Sequence, residues 1–500
     1  MKITAEEIYR ELYPSAFDNV IPQPIPTYAF REIGIRPIYS QIAPREVDLS
    51  TQIGPVKLKT AVFSAAMDTV TTSKMAQVMS EIGGCGIIVN DPEFQLQWVV
   101  EALRHKSCLI ENPKTLNPNQ KVKDAREILK KFGYSTIPII DRGQVLKGIV
   151  FTKGLDLDKH QNDSVRKWMK PLNEIFTRHI RTPFHEIKRH LTDESYSVIP
   201  VIDVKKRLKG LYFLTDVKAA EPSRYKRRPL IGMAIGIRKE EITRVEDALK
   251  LGIGMVAIDS SHGNCEKVIN QSKRLVKLVG DKAATIVGNV ADIDGYLRLA
   301  EIGVHAVKVI IGGGSICTTS IVTGAAVGSF TLLRELHYTR KKLLEAGKHA
   351  PQIIADGGIS NSGNIVVALA AGADAIMAGK IFAGTAESAS YIKHGKTKIE
   401  NSFYLPYRGM ASEGAIEDRS SVHRYGDTKT APEGIEGYVP FEGPMKRWIH
   451  KNLIELVKGG FAHAGAKNIQ EIHEFGDLPW AFTLFTSAGQ SQLHTSVIEK

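Results

Sequence analysis

Short apolar runs punctuate the chain in a regular rhythm. Eight of them have the four-to-six-residue length of fully buried strands: Val62 to Ala66, Gly86 to Val89, Leu230 to Ile235, Met255 to Ile258, Thr285 to Gly288, Ala306 to Ile310, Gln352 to Ala355 and Ala375 to Ala378. Most are separated by segments of helical period, such as Arg244 to Leu251, Asp292 to Ile302 and Ser362 to Ala371. This alternation predicts parallel βα units, and eight units predict a closed (β/α)8 barrel. An open doubly wound sheet is the alternative.

Between the second and third runs the pattern changes. Tyr134-Ser135-Thr136-Ile137-Pro138-Ile139-Ile140-Asp141, continuing to Leu146-Lys147-Gly148 and Phe151, matches Tyr196-Ser197-Val198-Ile199-Pro200-Val201-Ile202-Asp203, Leu208-Lys209-Gly210 and Phe213. Ten of eighteen positions are identical at an offset of 62, too many for coincidence, so this stretch is read as a duplicated unit. Helical periods at Ala125 to Phe132 and Phe184 to Leu191 precede the two copies. The expected organisation is a barrel from residues 1–105 and 222–500, and an insert at 106–221 with repeats at about 106–160 and 168–221.

Charge follows the same division. The formal net charge is +12, but residues 101–230 hold 28 Lys+Arg against 15 Asp+Glu, and the remainder is close to neutral. A basic insert, not a basic protein, is what a nucleic-acid reading would have to rest on. The cluster Arg224-Tyr225-Lys226-Arg227-Arg228 is short and lies at a junction, so a linker is expected there. A nucleic-acid-binding or nucleotide-sensing protein on an inactive barrel is the competing class of function.

Composition is that of a globular chain, 43% hydrophobic and 24% charged. The long apolar stretch from Ile365 to Gly384 is interrupted by Asp374 and Lys380, so no membrane span is expected, and the N-terminus lacks the basic-then-apolar order of a leader. A soluble cytoplasmic protein is the expectation. The four cysteines, Cys85, Cys108, Cys265 and Cys317, are spaced for neither a zinc site nor a redox pair.

Chemistry in such a barrel gathers in the loops after the strands. Four stand out: Asp259-Ser260-Ser261-His262-Gly263-Asn264, Gly288-Asn289, Gly312-Gly313-Gly314-Ser315-Ile316-Cys317-Thr318-Thr319 and Asp356-Gly357-Gly358. Consecutive glycines bring backbone N–H and C=O groups close to a ligand. A thiol following them with hydroxyl neighbours makes Cys317 a candidate nucleophile, against the commoner fate of a lone cysteine as a small buried hydrophobe.

The Gly312 to Thr319 loop resembles the catalytic loop of the inosine monophosphate (IMP) dehydrogenase and GMP reductase family. Ser64-Ala65-Ala66-Met67-Asp68-Thr69-Val70-Thr71, Ile354-Ala355-Asp356-Gly357-Gly358-Ile359 and Tyr407-Arg408-Gly409-Met410 resemble its first barrel loop, ribose-binding loop and purine-binding loop. The duplicated insert resembles its pair of cystathionine-β-synthase-type (CBS) modules.

The resemblance implies addition of the Cys317 thiolate to carbon 2 of IMP, hydride transfer to NAD+, and hydrolysis of the covalent thioimidate to xanthosine monophosphate (XMP). Arg424-Tyr425 matches the pair that activates the water, on an active-site flap that the resemblance puts at about 405–445. Asp356 would hold the ribose, while Ser315, Gly358, Gly379 and Tyr407 would take the phosphate, with Lys380 as an added charge beside it. Met67, Asn289, Gly409, Met410 and Glu433 would surround the purine, and Thr319 would stand within reach of it. Asp259, Ser260, Ser261 and Gly312 would face the dinucleotide. Carbonyls of Gly312, Gly314 and Cys317 resemble a potassium (K+) site, completed only loosely by Gly489-Gln490-Ser491-Gln492-Leu493-His494. Asp216 would grip an adenine or guanine nucleotide in the insert, where the first repeat has Gly154. A homotetramer or octamer is implied.

Two positions depart from the family pattern or divide it. Ile310 replaces a glycine usual before the catalytic loop. Glu413, in Gly409-Met410-Ala411-Ser412-Glu413, resembles the reductases, which convert GMP to IMP and ammonia with NADPH; Arg424-Tyr425, Asp259-Ser260-Ser261 and Pro432-Glu433-Gly434-Ile435-Glu436-Gly437 resemble the dehydrogenases.

Overall fold

The structure is a computed structural model of the chain and describes residues 3–17, 24–104, 109–111, 113–132, 135–152, 156, 159–194, 196–214, 224–225, 228–400, 402–418, 431–445, 449 and 453–485. Contacts divide the chain into two compact units, Met1–His105 with Pro222–Lys500, and Lys106–Glu221.

Eight strands close the barrel of the first unit: β1 (Val62–Ser64), β2 (Cys85–Ile88), β3 (Ile231–Ile235), β4 (Met255–Asp259), β5 (Ala284–Val290), β6 (Ala306–Val309), β7 (Gln352–Asp356) and β8 (Ala375–Ala378). Every neighbouring pair is parallel, and β8 returns to β1 with Ile376 beside Val62. This is the predicted barrel, and all eight apolar runs fall on its strands. Helices outside and packed side chains inside bury both faces of each strand, which is why the runs are continuous rather than alternating. Apart from Gln352 and Asp356, every residue of the eight strands is buried.

The helices between strands are bounded by their own local chemistry. Asp292 caps Ile293–Ile302 by accepting from the Gly295 N–H, and Asn361 caps Ser362–Ala370 by accepting from Asn364. The first ends at Gly303, whose φ of 86° is the left-handed turn that releases a helix into the next strand. Beyond the barrel, Thr397–Ile399, Ser402–Arg408 and Glu436–Pro440 form an antiparallel sheet that carries Tyr407. Glu455–His463 and Ile469–Gly476 pack on Ser362–Ala370.

In the second unit, Thr136–Ile140 pairs antiparallel with Leu146–Phe151, and Val198–Ile202 with Leu208–Phe213. Helices Val122–Phe132 and Phe184–Thr192 precede them. The duplication extends to turn geometry. Asp141 accepts from the Gly143 and Val145 N–H groups, as Asp203 does from Lys205 and Arg207. Gln144 and Lys206, also 62 apart, both have positive φ, 64° and 56°.

Candidate active site

The carboxyl ends of the strands open into a cleft of about 650 Å³, within the ordinary range for small-molecule sites. The loop after β6 forms its centre. Cys317 is turned by the bond from its N–H to the Gly314 carbonyl, 3.1 Å, and the loop is pinned from outside by Thr318 N–H to Glu433 O, 3.0 Å, and Ile435 N–H to Ile316 O, 2.9 Å. Backbone pairing of Cys317 with Gly434 completes this clamp.

Side chains then make a continuous chain. The Cys317 Sγ donates to Thr319 Oγ1 at 3.2 Å, and that hydroxyl donates to Glu433 Oε2 at 2.9 Å. Thr319 is buried and Cys317 half-buried, so the thiol is reachable from the cleft while its partner is shielded from water. A hydroxyl placed between sulfur and carboxylate can pass a proton from one to the other.

Asn289 owes its place to an irregularity. Register between β5 and β6 shifts between Gly288 and Val290, a bulge that turns the Asn289 side chain toward the cleft. Its Nδ2 donates to Ile310 O at 2.9 Å and to Asp356 Oδ2 at 3.1 Å, leaving Oδ1 buried without a protein partner. An unsatisfied buried acceptor beside a cleft fits a ligand that supplies an N–H.

On the opposite wall, Gly379 admits Met67 and Tyr407: a Cβ there would stand 2.8 Å from the Tyr407 hydroxyl and 2.9 Å from Met67 Sδ. Burial pushes the Tyr407 phenol above its usual range, and a hydrogen bond donated by Ser315 works against that shift. Tyr407 is therefore a neutral donor at ordinary pH. The Gly358 N–H, by contrast, donates to Gly313 O at 2.6 Å and ties two glycine loops together.

Met67, Asn289, Ser315, Asp356 and Gly358 all line this single cleft, as do Gly379, Lys380, Tyr407, Gly409, Met410 and Glu433. So do Ser260, Ser261, Gly312, Gly314, Cys317 and Thr319. Asp259 stands apart: it is buried at the end of β4, and its carboxylate is held by Lys308 at 2.6 Å. Glu413 is not on the cleft wall; it is an exposed first residue of the helix Glu413–Glu417. Arg424, Tyr425, Asp216, Gly154 and the tail from Gly489 to His494 lie outside the described residues.

Ile310 shows why a glycine is usual before such a loop. Its φ is 87°, a left-handed conformation that a β-branched residue adopts only when its surroundings enforce it. Here the Asn289 bond to its carbonyl and its own N–H bond to Val290 O hold it, and its side chain is buried against Gly313.

Lys308 belongs to none of the loop motifs. The residue was findable, since it is the one charged side chain within the eight apolar runs. It is only 2% exposed, and its Nζ lies 2.6 Å from Asp259 Oδ1 and 2.7 Å from Asp356 Oδ2. Among the described residues no group of three or more His, Cys, Asp and Glu is arranged to hold a metal ion, and no helix is long and apolar enough to cross a membrane.

Fold and cleft together define a (β/α)8-barrel protein with a thiol, a hydroxyl and a carboxylate in series at the carboxyl ends of its strands. Comparison with known proteins agrees: the sequence profile described as IMP dehydrogenase / GMP reductase domain matches residues 27–495. The chain belongs to the IMP dehydrogenase/GMP reductase family. It is 34% identical over 487 residues to inosine-5′-monophosphate dehydrogenase from Aquifex aeolicus (strain VF5), covering 94% of this chain and 95% of that protein. The corresponding protein of Bacillus subtilis (strain 168) is 34% identical over 479 residues, 93% and 94% of the two chains. Among solved structures, a Cys-to-Ala variant of GMP reductase from Trypanosoma brucei in complex with guanosine 5′-monophosphate superposes with a TM-score of 0.65 at 26% identity. That match covers 97% of this chain and 100% of the other.

Proposed function

We propose that the chain oxidises IMP to XMP with NAD+ as the hydride acceptor and water as the source of the new oxygen. The observation that carries this reading is the Cys317–Thr319–Glu433 series at the centre of the cleft. In the first step the Cys317 sulfur bonds to carbon 2 of the purine, its proton passing through the Thr319 hydroxyl toward Glu433. NAD+, when bound, takes the hydride from that carbon. Water then attacks the same carbon of the remaining thioimidate, the carbon–sulfur bond breaks, and the thiol is restored as XMP leaves.

The other residues position the reactants. Met67, Gly409 and Met410 flank the purine, and the unpartnered Asn289 Oδ1 suits a ring or amide N–H beside it. Asp356 binds the ribose hydroxyls; Ser315, Gly379, Tyr407 and the Lys380 charge surround the phosphate, with Gly358 shaping that loop. Ser260, Ser261 and Gly312 line the part of the cleft assigned to the dinucleotide, with Asp259 behind them. Arg424 and Tyr425 are assigned to water activation by the family resemblance alone. Potassium would sit on the carbonyls of Gly312, Gly314 and Cys317; the Gly314 carbonyl already accepts from Cys317 N–H, which uses one of its two lone pairs.

A second reading, GMP reduction by NADPH to IMP and ammonia, is favoured by Glu413 and by the overall similarity to a GMP reductase structure. The Thr319 hydroxyl pairs with Glu433 rather than Glu413, which supports the dehydrogenase. One spectrophotometric assay decides. IMP with NAD+ should yield NADH and XMP; consumption of NADPH with GMP, and none of the first reaction, would overturn the proposal.

For the insert we propose a regulatory pair of CBS modules that bind adenine or guanine nucleotides through its positive charge, with Asp216 as the ribose contact. Calorimetry on the full chain with ATP and GTP tests it, and no heat from either would remove it. The assembly is proposed to be a closed tetramer or octamer, and sedimentation as a stable monomer would contradict this.

A further inference from the structure

Lys308 has no part in the chemistry above, yet it is among the largest fully buried side chains of the protein. Its strand explains how it reaches two partners. In the ladder, Asp259 on β4 lies beside Gly288 on β5, which lies beside Lys308 on β6, and Lys308 lies beside Ile354 on β7, two residues before Asp356. Gly288 has no side chain to obstruct the crossing; a Cβ there would stand 2.5 Å from Lys308 Cβ. The ammonium therefore spans four strands and bonds a carboxylate at each side.

Buried charges are tolerated when paired, and removal of one partner leaves the others uncompensated. Here one cation serves two anions, so the hold on each carboxylate depends on the state of the other. The bonds from Lys308 and from Asn289 to Asp356 both fall on Oδ2, which leaves Oδ1 as the oxygen for a ligand. Asp356 lines the nucleotide side of the cleft and Asp259 is buried behind the dinucleotide side of the proposed function, on which this inference rests.

We propose that Lys308 is a positioning residue that couples the two halves of the cleft: through it, what happens at Asp259 changes nucleotide binding at Asp356, and the reverse. Such coupling is reciprocal.

The test measures the affinities of IMP and NAD+ by calorimetry in full-length Cys317→Ala protein, which cannot turn over. Asp259→Asn should weaken IMP binding about threefold or more although it stands on the other side, and Asp356→Asn should do the same for NAD+. Lys308→Met should abolish both cross-effects, so that adding Asp259→Asn no longer changes IMP affinity; Lys308→Arg, which keeps the charge, should retain them. Cross-effects absent in the Lys308 protein, or unchanged after Lys308→Met, overturn the proposal. If Lys308→Met does not fold, the two Asp variants with Lys308 in place decide it. Turnover of GMP and NADPH by the Cys317 protein would instead refute the dehydrogenase reading, and the same cross-effects are then measured with that pair.

Discussion

Replacing Thr319 with Val removes one hydroxyl and keeps the branched shape, so it interrupts the series from sulfur to carboxylate without emptying space. Two hydrogen bonds disappear, 3.2 Å to Cys317 Sγ and 2.9 Å to Glu433 Oε2. Proton transfer through a positioned group accelerates a step by about 10²- to 10⁴-fold, so the chemical step should slow by about that factor, equivalent to about 3–5 kcal/mol of barrier. Glu433→Gln keeps an acceptor for Thr319 but removes the base, and should cost a similar factor. Because both substitutions break the same series, the double variant should be little worse than either single one. Stopped-flow absorbance of NADH in a single turnover reads the step directly, with IMP affinity measured separately. Losses that multiply in the double variant, or that fall wholly on IMP affinity, would refute the series as a proton path.

Cys317→Ala should abolish turnover, and intact mass measurement of the Cys317 protein trapped during reaction should find a nucleotide attached at that residue and nowhere else. Glu413→Gln should change IMP oxidation less than about threefold, as its exposed helix-start position requires, and a loss of about a hundredfold would place Glu413 in the chemistry. At Ile310, the Gly variant should be more stable than the Ala variant by about 1 kcal/mol in matched denaturation curves, since only Gly releases the left-handed backbone cost; equal stabilities would deny that cost. Burial pushes the Asp477 carboxyl up, but donation from His337 and Lys341 and the charges of His337 and Arg334 outweigh it and hold it well below its usual range. A depressed carboxyl stabilises the fold above its ordinary pKa of about 4 and loses that contribution as pH falls. The Tm gap between the native protein and Asp477→Asn should therefore be widest near neutrality and narrow in acid; a gap independent of pH would contradict the ion-pair account.

The barrel is legible because parallel strands covered on both sides leave few polar positions to confuse the pattern, and Lys308 is the one charge within the eight runs. Cleft residues were legible where they sit in compact loops directly after strands, as Cys317 and Asp356 do. Pairing across distance was not. Thr319 meets Glu433, 114 positions away, through the clamp between two loops, and no spacing rule announces it. Nor does any spacing distinguish Glu413 from Glu433 as the partner of Thr319; only the start of the helix at Glu413 directs that side chain to solvent. The family resemblance assigns Asp259 to the dinucleotide side, and no motif shows that its carboxylate bonds Lys308.

The duplicated unit leaves the barrel after Gln95–Arg104 and the chain resumes before β3. Yet β2 and β3 are direct ladder neighbours, with Gly86 beside Ile231. Barrel closure is thus achieved by the ladder itself. Every strand pairing of the barrel is therefore made by residues outside Lys106–Glu221, so the ladder asks nothing of that stretch.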